Sequence, residues 1–78
     1  MHRFRVDAIL DPQSLLRVTG YFAQRSIVPT QMKMQVRREH MRIDVTVEGL
    51  APLQAAALAA RLREVVAVID AGIEDLAA

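Results

Sequence analysis

The sequence predicts an α+β domain of order β-α-β-β-α-β, the ferredoxin-like split arrangement, with an antiparallel sheet ordered 4-1-3-2 and two helices on one face. Two observations carry this. Apolar and polar residues alternate with period two in one segment near the start and in two adjacent segments mid-chain. Between and after them lie segments of helical spacing, each opened by a proline.

The elements follow in order. Phe4, Val6, Ala8 and Leu10 alternate with Arg3, Arg5, Asp7 and Ile9, so the first set faces the core of a strand. Asp11-Pro12 stops it, with Asp11 as N-cap and Pro12 at the first helical position. Leu15, Val18, Thr19 and Phe22 then predict a helix over residues 12–25. Gly20 inside it is unfavourable by about 1 kcal/mol, and close packing of a neighbouring element is the reason expected for it. Pro29 opens a second strand at a sheet edge, because proline cannot donate to a ladder. Its face of Met32, Met34 and Val36 continues in the Met41, Ile43, Val45 and Val47 of a third strand. Pairing Val36 with Met41 sets Met34 opposite Ile43 and Lys33 opposite Asp44, one register giving an apolar face and an opposite-charge pair. A loop of two to four residues joins them, with His40 solvated in it. A second helix is expected over 52–64, with Ala55, Leu58, Leu62 and Val65 on one face, and a last strand over 66–71. Gly72 ends that strand and 73–78 form a tail. Met32, Met34 and Met41 read as core packing.

Composition narrows the function. Ten basic residues against nine acidic ones give a net charge of +1, which is no footprint for nucleic acid. There is no cysteine, hence no disulfide, thiolate metal site or thiol nucleophile. Two histidines do not close a tetrahedral metal site unaided. No stretch approaches the ~20 apolar residues of a membrane helix, and no signal-peptide core follows Met1. A soluble, cytoplasmic protein without membrane contact is expected.

No Ser-His-Asp set and no glycine-rich phosphate loop can be assembled, so no catalytic residue, metal site or cofactor is expected. Asp7, Asp44, Glu48, Asp70, Glu74 and Asp75 read as mostly solvated. The outer face of the two central strands offers no aromatic on which a base could stack. What remains is the first strand–helix junction, Asp11, Gln13, Ser14 and Leu15. Helix N-terminal N–H groups are unpaired and partly positive and can take a ligand carboxylate. The alternative is a capped helix start with nothing bound.

The segment Leu15-Leu16-Arg17-Val18-Thr19-Gly20-Tyr21-Phe22-Ala23-Gln24-Arg25-Ser26-Ile27 resembles the first helix and second strand of ACT domains, the small amino-acid-sensing modules. It is similar in particular to the regulatory small subunit of acetolactate (acetohydroxyacid) synthase. The segment running from Leu58 to Ile69 looks like that family's second helix and last strand. The resemblance covers nearly the whole chain and implies that 1–78 form one ACT-like domain of the short isozyme II type. It further implies a non-catalytic subunit that binds and activates a large catalytic subunit of acetolactate synthase, in branched-chain amino-acid biosynthesis. That large subunit would carry the thiamine diphosphate, a divalent metal and usually a flavin. Valine-binding members have Asn-x-x-Gly at the helix start, where this chain has Leu10-Asp11-Pro12-Gln13, so weak or absent valine binding is expected.

Three readings follow. The first is a regulatory subunit working through protein contacts, two copies pairing along the second strand at Val28, Thr30 and Met32. The second is a free-standing ACT domain sensing a small amino acid at a dimer interface. The third is a nucleic-acid-binding module of the same fold.

Overall fold

The computed structural model describes residues 1–76. Its elements are β1 (His2–Ile9), α1 (Pro12–Gln24), β2 (Gln31–Val36), β3 (His40–Val47), α2 (Pro52–Leu62) and β4 (Val68–Asp75). The strands form one antiparallel sheet ordered β2-β3-β1-β4, the expected 4-1-3-2 order read from the other edge. The hairpin register is the one the apolar and charge patterns require: Val36 opposite Met41, Met34 opposite Ile43 and Lys33 opposite Asp44. The ion pair that forms at Asp44 is nevertheless with Arg42, two residues along its own strand at 3.7 Å.

One face of the sheet holds the core. Phe4, Val6 and Ala8 of β1, Ile43 and Val45 of β3, Val18 and Phe22 of α1, and Ala55 and Leu62 of α2 are buried against one another. Phe22 meets Phe4 edge-on at 5.3 Å between ring centroids, and Tyr21 meets Phe22 the same way at 5.3 Å, the arrangement that ring quadrupoles favour. Tyr21 is buried, and its hydroxyl donates to the Leu58 carbonyl of α2 at 2.7 Å, bridging the helices.

α1 ends in a Schellman arrangement. Ile27 N–H donates to the Phe22 carbonyl and Ser26 N–H to that of Ala23, each at 3.0 Å. Ser26 holds the left-handed turn, with φ 58°, where glycine is the usual residue. Gly49, at φ 85°, occupies the corresponding left-handed position after β3.

The structure corrects several expectations. Leu10 lies beyond the end of β1 and is 49% exposed instead of core-facing. In α1, Tyr21 and Ser14 are buried while Thr19 is only half-buried. Gly20 admits no close neighbour: a β-carbon built there meets nothing within 4 Å. α2 ends at Leu62, short of Glu64. β4 runs on to Asp75 with Gly72 inside it, because pairing with β1 continues as far as His2 opposite Asp75. The expected tail is thus partly strand, and Ala77 and Ala78 lie outside the described residues. His40 opens β3 and stands 3.3 Å from the Asp7 carboxylate, so it is no loop residue. Glu48, Asp70, Glu74 and Asp75 are exposed as expected, with Glu74 meeting Arg3 at 2.8 Å and Arg5 at 3.6 Å and Asp70 meeting Arg63 at 3.7 Å, while Asp7 and Asp44 are half-buried.

Candidate functional site

Two places in this fold correspond to the residues singled out in the sequence, the start of α1 and the edge at β2.

At the start of α1, Asp11 is extended and its Oδ1 accepts the Gln13 N–H at 2.7 Å. Ser14 N–H donates to the Asp11 carbonyl at 3.0 Å. The Ser14 hydroxyl is buried and donates to the Ile9 carbonyl at 2.7 Å, tying the helix to the end of β1. Leu15 turns inward against the core and Gln13 is exposed. A shallow hollow of about 170 Å³ lies here between Ile9, Asp11, Gln13, Ser14, Arg17, Val66 and Ala67. The structure therefore gathers Asp11, Gln13 and Ser14 at one junction and takes Leu15 away from it. The N–H that would receive a ligand carboxylate already holds the protein's own carboxylate. An incoming anion would have to displace Asp11 against like-charge repulsion.

At the other place, β2 forms one edge of the sheet and its apolar row is uncovered. Met32 is 39%, Met34 45% and Val36 65% exposed, although their partners on β3, Val45, Ile43 and Met41, are buried. Two helices do not cover the breadth of four strands, and the strand left out is this one. Expecting Met32 and Met34 in the core placed them on the correct face but not under a helix. Beside them, Thr19, Ala23, Ser26, Ile27, Val28, Pro29 and Met32 border an apolar hollow of about 410 Å³ between α1 and β2. Of the expected interface residues, Met32 lies on β2, whereas Val28 and Thr30 precede it; Val28 is 84% exposed and Thr30 N–H donates to the Thr46 carbonyl at 2.8 Å. β4, the opposite edge, differs. Arg63 Nε donates to its Ala71 carbonyl at 2.6 Å, so a side chain already occupies that edge.

Among the described residues no group of three or more histidines or acids is placed to hold a metal ion. No helix among them is long and apolar enough to cross a membrane.

The βαββαβ order and the sheet order β2-β3-β1-β4 define a small domain of the ACT type, a class of regulatory ligand-binding domains. The family model for the ACT-like domain matches residues 1–78, and the chain belongs to that family. No curated protein sequence matches it. Among solved structures it is similar to the ACT domain from GTP pyrophosphokinase of Chlorobium tepidum. The crystal structure of that domain gives a TM-score of 0.72 at 12% identity, covering 94% of this chain and 95% of that one. The solution structure gives 0.81 at 10% identity, covering 97% and 86%. The C-terminal domain of the MgtC protein from Mycobacterium tuberculosis gives 0.64 at 13% identity, covering 94% and 83%. At these identities the likeness concerns the fold.

Proposed function

We propose that this chain is a non-catalytic regulatory subunit, a single ACT-like domain that pairs with a second copy along β2. The pair binds and activates the large catalytic subunit of an acetolactate synthase in the cytoplasm. The observation that carries the pairing is the uncovered apolar row Met32, Met34 and Val36 beside an open strand edge, continued by Val28 and the hollow under α1. Such an edge invites another strand, and a two-fold operation sets the same row against itself. A domain of this size buries only about 60% of its unfolded surface, so the added burial matters. The catalytic partner rests on the similarity of the two helical segments to the small subunit of that synthase. Thiamine diphosphate and metal belong to that partner in this reading.

Control operates through protein contact. The occupied cap at Asp11 opposes amino-acid binding at the α1 start, which disfavours the alternative of a free-standing amino-acid sensor using that site. The test is to assay the acetolactate synthase large subunit from the same cell with and without an equimolar amount of the chain. Activation is expected, together with a dimer in sedimentation. A dimer that leaves the synthase unchanged and binds valine at micromolar concentration would instead put the amino-acid sensor first.

A further inference from the structure

The groove between α1 and α2 shares no residue with the β2 edge or its hollow, and nothing proposed above uses it. It has a volume of about 660 Å³ and is lined by Leu16, Arg17, Gly20, Tyr21, Gln24 and Arg25 from α1, with Arg61 of α2 and Glu64 and Val65 just beyond it. We propose that this groove is a binding site for a small organic anion carrying at least two negative charges, held by Arg17, Arg25 and Arg61.

Three observations support the site. The first is charge. The chain as a whole is almost neutral, at +1, yet three guanidiniums face this groove against one carboxylate. Arg3, Arg5, Arg42 and Arg63 each stand against a carboxylate, and Arg37 and Arg38, which among the described residues do not, lie on the β2–β3 turn outside the groove. Among the described residues no ion pair joins Arg17, Arg25 or Arg61 to Glu64 or to any other acid.

The second is order. Exposed arginines normally sample many rotamers, and fixing one on a ligand loses that entropy. Arg25 is already held. Its Nη1 donates to the Tyr21 carbonyl at 2.9 Å, and its guanidinium lies 3.8 Å over the Tyr21 ring. The ring is in turn fixed by the hydroxyl bond to Leu58. Stacking leaves the remaining planar N–H donors free for a phosphate or carboxylate.

The third is Gly20. A glycine inside a helix destabilises it, and no packing contact here explains the choice, because a β-carbon would meet no protein atom within 4 Å. The position lines the groove, where a side chain would take up space a ligand needs. The apolar surfaces of Leu16, Tyr21 and Val65 complete the lining, so the ligand is an organic anion more than a bare ion. The volume lies within the roughly 300–1,000 Å³ usual for metabolite sites.

Phosphate-bearing and carboxylate-bearing ligands share this chemistry, and a titration separates them. ¹⁵N-labelled protein is titrated by NMR with inorganic pyrophosphate and, separately, with citrate, against sodium chloride at matched ionic strength. Saturable shifts at the amides of Arg17, Gly20 and Arg25 and at the Arg61 side chain are expected with at least one probe. Saturation by pyrophosphate alone assigns the phosphate class and by citrate alone the polycarboxylate class. Gly20→Glu, which sets a carboxylate among the arginines, and Arg61→Gln, at an exposed position, should each weaken binding about tenfold or more. Unchanged sheet amides in either variant show an intact fold. Non-saturating shifts spread over Arg37, Arg38 and the groove alike, or binding that both variants leave unaltered, would overturn the assignment.

Discussion

Replacing Gly20 by alanine should stabilise the protein. Gly20 lies inside α1, and its missing β-carbon would point into open space with nothing within 4 Å. No clash opposes the substitution and no new contact rewards it. The change therefore reduces to helix propensity, in which glycine is about 0.8–1.0 kcal/mol less favourable than alanine. Unfolding entropy is roughly 2.1 cal/mol/K per residue, or about 0.16 kcal/mol/K for a chain of 78 residues. The melting temperature should rise by about 5–6 °C. Thermal unfolding followed by circular dichroism measures this, with both proteins at the same concentration because association shifts Tm by mass action. Urea unfolding should move its midpoint upward with an unchanged m-value. A lower Tm would refute the reasoning, since it would require a contact at Gly20 that a methyl group disturbs.

Four further outcomes are expected. Met34→Lys sets a charge into the uncovered row of β2 in both copies; with Met34 45% exposed, this removes about 1–3 kcal/mol of apolar burial from the pair, roughly ten- to a hundredfold in affinity; sedimentation equilibrium should show a weakened dimer relative to the parent chain. Titration calorimetry with valine should give no binding by the parent chain at micromolar concentration, whereas Leu10→Asn with Gln13→Gly should strengthen it; Asp11→Ala should weaken the cap by about 1 kcal/mol, read as a fall in the urea midpoint. Tyr21 has its hydroxyl pKa raised above 10.0, chiefly by burial, with Glu64 adding and Arg25 and Arg61 opposing. The folded chain thus resists the phenolate more than the unfolded chain does. The associated stability is complete below pH 10 and is lost as the pH rises through the folded value; Tyr21→Phe should abolish this alkaline loss while lowering stability by about 1 kcal/mol at neutral pH. Urea midpoints for both proteins across neutral and alkaline pH decide it, and identical alkaline slopes would count against the assignment.

What the chain states locally is its periodicity and its punctuation. The alternation in β1 and the hairpin, with Lys33 against Asp44, specifies strand register, because a slip by one residue would turn every apolar side chain outward. Asp11-Pro12 marks the start of α1 because capping involves only neighbouring groups. The candidate junction was legible for the same reason, but whether its N–H groups are free was not, since that depends on where the Asp11 carboxylate points. Gly72 reads as a strand end, yet pairing with β1 carries β4 past it, a contact made nearly seventy residues away in sequence. Met32 and Met34 read as core residues, and their face is correct. Their exposure follows from how far two helices extend across four strands, a matter of assembled widths that no window of sequence contains. The groove of Arg17, Arg25 and Arg61 likewise exists only once Tyr21 reaches Leu58 and brings α1 beside α2. The sequence by itself determined the elements, their order and the register of the hairpin, because those depend on residues near one another. Tertiary structure alone decided which faces are covered and which arginines share a groove, because coverage and convergence are properties of packed elements.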